Sequence, residues 1–518
     1  MAHFGISYLI YRGIAGTWFM AAGDYMEGQS NWGSEPAAEC VKNVFAGVPD
    51  GRTLMIIASA KGNVSLLEGR CGEGPRVPAD DDPLLFGQMA SRIGAMTDFP
   101  AANIRVISNA CISGVSAIVI ARRMILSGVC DNAVVVGVDT QNRFITSGFA
   151  SFKSLSDEAC RPYDASRCGL NLGEACGAIL LTRNRLSDSD VAISGGAITD
   201  DANHISGPSR TGDGLYFAMR RAMDEAGVLP QQLDMLQMHG TATAYNDEME
   251  SKAASLAGLQ DVPELKRGVC AGTAGFSELG VPMPLNVSAA NRGLGENAVR
   301  HCLKTASGFG GTNAAVALES GDSGDGEVGV PVDIDVRECR EVVIGDGSVN
   351  VDGEVVFADE NADYHAFIRD AFKAGGGQNM KFYKMDDFCK LAYVAADRLL
   401  EGIDFGEEEC GMVLSGHYGC LDTDMKHQQV IDREGDAGAS PAVFVYTLPN
   451  VAAGEVSIRH HIKGENTWFW SDDRQMSDIR QYAGMMMAAQ DLKYCIIGYF
   501  DNIAGKYEAV FKLLERQN

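Results

Sequence analysis

One stretch limits the possible folds more than any other: IRVISNACISGVSAIVIARRMI, residues 104–125. Ile104–Ile107 is a short apolar run that reads as a buried strand, and Ser108, Asn109 and Ala110 form a small-residue turn before Cys111. From Ser113 the apolar residues Val115, Ile118, Val119 and Ile125 recur at helical spacing. The pattern is strand, tight turn, apolar helix, with a cysteine at the turn. A cysteine there sits near unpaired N–H groups and the positive end of the helix dipole, and both favour thiolate over thiol. The thiolate is the nucleophile, so the placement suits acyl transfer. Taken alone, the residues leave open that Cys111 is a small buried core thiol.

The chain has 518 residues, enough for roughly three to four domain-sized units. Its net charge of −26 argues against nucleic acid or an anionic membrane as the main partner. The basic pairs Arg122/Arg123, Arg220/Arg221 and Lys266/Arg267 read as solvated faces. The 14 cysteines are scattered, with no CxxC pair, so neither a zinc site nor a disulfide framework is expected, and reduced thiols point to the cytoplasm. The start, MAHFGISYLIYRGIAG, does not read as a signal peptide, and no run approaches the ~20 apolar residues of a membrane span.

Apolar strands alternate with helices along the chain. TLMIIA (53–58), NAVVVGVDT (132–140) and residues 178–181 and 189–198 read as strands; residues 84–96 and 215–226 read as helices. This implies an α/β fold with a parallel or mixed sheet. DDANHISGPSRTGDG is a long polar loop of the kind that carries function on a rigid scaffold. GDSGDGEVG, within 321–330, is the best linker candidate. Beyond it the chain begins again in sequence terms: Ser415 in SGHYGC falls where Ser59 does in ASAKGN, and Gly498 in YCIIGYFDN falls where Gly137 does in NAVVVGVDT. The Gly137-to-Gly498 offset of 361 residues puts Asp472 at the place of Cys111, so the second copy lacks the cysteine.

The strings SNACISG, SGFASFKSLS, CRPYDASRCGLNLGEACGAILL, DANHISGPS, MHGTATAYNDEME and SGFGGTNAAVAL occur in that order, and together residues 1–320 resemble a β-ketoacyl-[acyl carrier protein] synthase of the thiolase-like superfamily. The resemblance implies a five-layer αβαβα fold and cofactor-free chemistry without a metal. It implies that Cys111 takes an acyl group as a thioester, and that His239 stabilises charge developing on the extender's thioester oxygen. Phe309 would gate the acyl pocket in the Gly308–Gly311 turn, with its N–H and that of Cys111 forming the oxyanion hole and Gly310 allowing the turn. His204, Thr241 and Thr243 would line the substrate channel. Asp164, Arg167 and Glu174 would form structural charge pairs. The implied partners are acyl carrier protein, acyl and malonyl thioesters, and a second copy or an internal pseudo-dimer.

The sequence also departs from that family. A second catalytic histidine is expected in a Lys-x-x-x-Gly-His-Thr string between HGTAT and GFGGTN; no such string is present, and a segment looks missing near Pro263. His301, in VRHCLKT, has the wrong context. The implied activity is decarboxylative condensation on Cys111; the alternative is a condensation-deficient scaffold that only holds acyl groups. Cys270 in CAGTAG admits a weaker thiolase reading. Residues 331–518 resemble the N-terminal half of a ketosynthase, in the manner of a chain-length factor, with SPAVFVYTLPNVAAGEVSIRHHIKGENTWF as the supporting string. Adjacent His460 and His461 are expected to point to opposite faces of a strand edge.

Overall fold

The computed structural model describes residues 6–7, 33–45, 47–70, 76–187, 190–263, 273, 275–290, 299–320 and 334–517. The expected linker at 321–330, Cys270, the Lys266/Arg267 pair and nearly all of the N-terminal stretch lie outside them. Among the described residues, no helix is long and apolar enough to cross a membrane, and no cluster of His, Cys, Asp and Glu could hold a metal ion.

The first elements are β1 (Ile6–Ser7), α1 (Ser34–Val44), β2 (Thr53–Ala58), α2 (Phe86–Thr97), β3 (Ile104–Ile107), α3 (Ser113–Leu126), β4 (Asn132–Asp139), α4 (Arg143–Ser151) and β5 (Ala175–Thr182). All six residues of β2 are buried, because a parallel strand with both faces covered carries apolar side chains on each. Next come β6 (Ala192–Asp200), α5 (Asp213–Ala226), β7 (Met235–Gln237), α6 (Ala244–Leu256), β8 (His301–Ser307) and β9 (Thr312–Glu319). The sequence places α5 well; it stops at Gly227, whose φ of 65° lets Val228 N–H reach the Met223 carbonyl at 3.0 Å.

β6 to β9 make a four-stranded sheet in the order β6-β9-β8-β7. α3 lies between it and the large sheet, packing on β2, β4, β6 and β9. α1 and α2 cover the outer face of the large sheet, and α5 and α6 that of the small one. The first unit is thus layered αβαβα. Its central helix is buried nearly all round, and this includes Arg122 and Arg123, which are not the solvated face their sequence suggests. Arg122 donates to the Ile193 and Ser194 carbonyls and pairs with Glu225; Arg123 pairs with Glu465 at 2.6 Å. Arg220 and Arg221 both pair with Glu408.

The remaining elements are β10 (Val336–Gly345), β11 (Ser348–Val351), β12 (Glu354–Ala358), α7 (Tyr364–Ala374), α8 (Asp387–Leu399), β13 (Cys410–Gly416), α9 (Leu421–Glu434), α10 (Pro441–Phe444), α11 (Val451–His460), β14 (Asn466–Trp470), α12 (Ser477–Gln490), β15 (Tyr494–Ile503) and β16 (Lys506–Arg516). They continue the large sheet, whose order is β1-β5-β4-β2-β3-β14-β13-β15-β16-β10-β11-β12. Read outward from the β3–β14 junction, the two halves match strand for strand: parallel, parallel, antiparallel, antiparallel. The 361-residue offset relates β3 to β14 and β4 to β15, whereas β2 and β13 are related by 356 residues, as are Ser59 and Ser415. Ala58 lies opposite Gly137 and Ile107, and Leu414 opposite Gly498 and Trp468. At the junction β3 and β14 run antiparallel, Ile107 opposite Phe469, and Ser108 N–H donates to the Trp468 carbonyl at 3.1 Å.

One expectation about this half fails. His460 and His461 are not on a strand: His460 ends α11, and His461 stops the helix in the left-handed region at φ 56°. His460 Nε2 lies 3.0 Å from Asp397 Oδ1. The alanine-rich run before them packs as a helix against α8, which the sequence string alone did not show.

Candidate active site

β3 delivers the chain to Ser108 at the sheet junction, and Asn109 then fixes the turn. Its Oδ1 accepts the Trp468 N–H at 2.9 Å, its N–H donates to Ser113 Oγ, and its carbonyl accepts the Ile112 N–H. Ala110 sits at φ 48°, a conformation that strains an L-residue and that this over-determined turn enforces. A single 3₁₀ turn, Ala110–Ile112, carries Cys111 to the head of α3. The Cys111 side chain is exposed to solvent although protein surrounds it closely.

The Gly308–Gly311 turn joins β8 to β9 and faces the cysteine. A Cβ at Gly308 would lie 3.2 Å from Cys111 N. The backbone N–H groups of Phe309 and of Cys111 itself lie by the Cys111 sulfur and favour its thiolate. This is the pair of donors that an oxyanion hole needs. Burial pushes the Cys111 thiol up, with Asp139 adding to it, and the two N–H groups only partly offset this. The expectation that the helix end favours thiolate is therefore corrected: desolvation of the charge outweighs the dipole in the resting site.

Gly310 and Gly311 have φ of 89° and 81°, which side-chain-bearing residues rarely adopt. Gly310 N–H donates to the Ile205 carbonyl at 2.7 Å, and Asp201 N–H to the Gly311 carbonyl at 2.8 Å. The Phe309 ring stacks on Phe149 and Phe152, centroids 5.9 and 5.4 Å away, and Phe444 from the second half closes that cage against both.

His239 follows β7 by two residues. β7 runs parallel to β8 with Gln237 opposite Lys304, so His239 and the 308–311 turn leave the sheet at the same end. The His239 loop hangs on α6: Glu250 accepts the His239 and Gly240 N–H groups at 2.6 and 2.8 Å, and Asp247 accepts that of Thr241 at 3.1 Å. Both carboxylates are fully buried. The Thr241 and Thr243 hydroxyls bond each other at 2.8 Å. Lys304, not singled out by sequence reasoning, donates to the Thr305 carbonyl and lies 3.5 Å from that of Met238, bringing a cation beside His239. Its place on a strand gave no motif to find it by.

His204 is exposed on the loop that braces the glycine turn; its Nδ1 accepts the Ser206 and Gly207 N–H groups, and enclosure followed by Lys381 of the second half lowers its pKa. The expected charge set does not pair internally. Asp164 accepts from Ser166, Ser277 and Glu278; burial pushes it up, but these bonds hold its carboxyl well below the usual range. Arg167 reaches the Asp164 and Gly280 carbonyls and lies 3.7 Å from Glu248. Glu174 accepts the Gln141 N–H. Arg167 also lies 4.0 Å from Asp247, so its charge partners come from α6. His301 begins β8, at the end of that strand away from the turn.

The layered αβαβα unit, with Cys111 at the head of a helix buried between two sheets and facing a glycine turn, is a thiolase-like fold. The comparisons narrow this. The profile "Beta-ketoacyl synthase, N-terminal domain" matches residues 64–187, and "Beta-ketoacyl synthase, C-terminal domain" matches residues 191–265. Residues 64–265 thus resemble the two domains of a β-ketoacyl synthase. It is 26% identical over 280 residues to a putative mitochondrial 3-oxoacyl-[acyl-carrier-protein] synthase of Schizosaccharomyces pombe, covering 46% of this chain and 66% of that protein. It is 30% identical over 253 residues to the mitochondrial enzyme of that name from Arabidopsis thaliana (41% and 55%), and 29% identical over 309 residues to 3-oxoacyl-[acyl-carrier-protein] synthase 2 of Vibrio cholerae (51% and 74%). The chain thus spans less than two thirds of the first two relatives. A solved structure of a PfaC keto synthase–chain length factor shares its fold over 94% of this chain and 69% of that one, with TM-score 0.63 and 13% identity.

Proposed function

We propose that this chain is a β-ketoacyl-[acyl carrier protein] synthase. The Cys111 sulfur attacks the carbonyl of an acyl-carrier thioester, its thiol proton passes to the departing carrier sulfur, the new thioester forms on Cys111, and the carrier leaves as the thiol. The Phe309 and Cys111 N–H groups hold the oxyanion of this step. A malonyl thioester then loses carbon dioxide, and its enolate attacks the acyl carbonyl and expels Cys111. His239 stabilises the enolate oxygen. His204, Thr241 and Thr243 stand along the approach. The observation that carries the proposal is the placement of Cys111 in the turn at the head of α3, directly against the Gly308–Gly311 turn. The products would serve fatty-acid, aryl-polyene or polyketide-type synthesis, in the cytoplasm. The second half takes the place of a ketosynthase partner subunit, an internal pseudo-dimer without its own nucleophile; the mirrored strand order and Asp472 at the cysteine's position support this.

A second reading is a scaffold that accepts acyl groups without condensing them. It is favoured by the absence of a Lys-x-x-x-Gly-His-Thr string and by a family match that stops at residue 265, beside the apparent gap at Pro263. One experiment separates the two. Acyl-carrier protein should leave an acyl mass on Cys111, absent in Cys111→Ala; malonyl-carrier protein should then release carbon dioxide. Acylation without carbon dioxide favours the scaffold, and no acylation overturns both.

A further inference from the structure

We propose that the second half supplies a positioning residue to the nucleophile's site: Asn450, which holds the 308–311 turn so that the Phe309 N–H faces Cys111. The inference rests on the reading of Cys111 as nucleophile and adds a residue from outside the family-matched region. Asn450 precedes α11, and its Nδ2 donates to the Phe309 carbonyl at 2.8 Å, the residue whose own N–H lies by the sulfur. Thr312 Oγ1, at 3.3 Å, is the other donor to that carbonyl.

The contact is built closely. A Cβ on Gly310 would lie 2.6 Å from Asn450 Nδ2, and one on Gly454, in the first turn of α11, would lie 2.5 Å from the Gly310 carbonyl oxygen. Both positions therefore need glycine for backbone and amide to approach. Asn450 is wholly buried, and its Oδ1 has no hydrogen-bond partner. An unsatisfied buried acceptor is destabilising. A residue chosen only to fill space would be apolar here; the amide is needed for what its Nδ2 holds. With the carbonyl clamped by Asn450 and the ring caged by Phe149, Phe152 and Phe444, two contacts from the second half fix the orientation of a turn encoded in the first.

Asn450→Asp is the sharpest perturbation, because a carboxylate facing the Phe309 carbonyl repels it; Asn450→Ala is the milder companion. Phe372→Leu, in the remote core of the second half where Phe372 stacks on Phe382, controls for lost stability alone. The readout is the rate of Cys111 alkylation by iodoacetamide against pH, scored by peptide mass, which requires neither acyl transfer nor condensation. Loss of the Phe309 N–H bond to the thiolate should raise the alkylation midpoint by about one pH unit in Asn450→Asp, and less in Asn450→Ala, with no change in Phe372→Leu. An unchanged midpoint in Asn450→Ala, or an equal rise in Phe372→Leu, overturns the inference. If Asn450→Asp does not fold, Asn450→Ala decides alone. Failure of the proposed activity, by contrast, would show as no acyl mass on a wild-type Cys111 that alkylates normally.

Discussion

The ion pair between Arg123 and Glu465 ties the nucleophile's helix to the second half, and removing its charge should weaken the whole junction. Arg123 lies on α3, and Glu465 directly precedes β14, the strand that pairs with β3. The side chains are 3% and 0% exposed and meet at 2.6 Å. Glu465 also accepts from Tyr482 Oη and from Gln490 Nε2 at 2.6 Å. Glu465→Gln keeps the volume but leaves a guanidinium buried without a counter-charge, a loss of about 3–5 kcal/mol. Arg123→Met in the Glu465→Gln background removes that stranded charge and should recover most of the loss, since an apolar replacement of a buried pair is often neutral. Trp468 and Trp470 lie on the adjacent β14, so their fluorescence in urea reports the junction itself. The pairwise coupling from the double-mutant cycle should then be large and favourable. A loss below about 1 kcal/mol in Glu465→Gln, or a double variant no more stable than the single one, would refute the argument that this buried charge depends on its partner.

Other outcomes follow from the same contacts. His239→Ala should leave acylation of Cys111 intact and slow carbon dioxide release by about 10²–10³, measured with labelled malonyl-carrier protein. Glu250→Gln, which loses charge where the His239 and Gly240 N–H groups point, should also slow condensation more than acylation, with about 1.5–3 kcal/mol lost per bond in urea unfolding. Phe444→Ala should cost about 3–5 kcal/mol and, by opening the cage around Phe309, increase the acyl length accepted in a chain-length series followed by mass. His427 is buried beside Phe144, and burial pushes its pKa down to about 4. A depressed base means that the unfolded chain binds the proton more tightly. The stability it contributes is present above about pH 6.5 and is lost as pH falls toward 4, by about 3 kcal/mol. His427→Leu should flatten that part of the stability profile.

Much of the site was legible because its chemistry is local in sequence. The strand-turn-helix around Cys111, the HGTAT loop and the glycine turn each declare themselves through small residues that special backbone angles demand, as at Gly310 and Gly311. The α/β alternation was legible too, since apolar runs and their spacing survive where side-chain identity does not; the strands around Gly137 and Gly498 pair with their neighbours in the same way. Arg122 and Arg123 misled, because a charged residue inside an otherwise apolar helix looks solvated until its distant partners, Glu225 and Glu465, are known. The partners of Asp164, Arg167 and Glu174 were not legible: Arg167 lies against Asp247 and Glu248 on α6, and many of the other partners are backbone N–H and carbonyl groups, which carry no sequence signal.

The sequence by itself determined the α/β alternation, the strand-turn-helix that holds Cys111 and the glycine turn at 308–311. Only the tertiary structure decided that β14 completes the sheet beside β3, that Asn109 and Asn450 brace the turns on either side of Cys111, and that burial outweighs the helix end at its thiol. The physical reason is range. Propensity and periodicity act over a few neighbouring residues, whereas hydrogen bonds across a sheet junction and the desolvation of a thiol depend on atoms more than three hundred residues away along the chain.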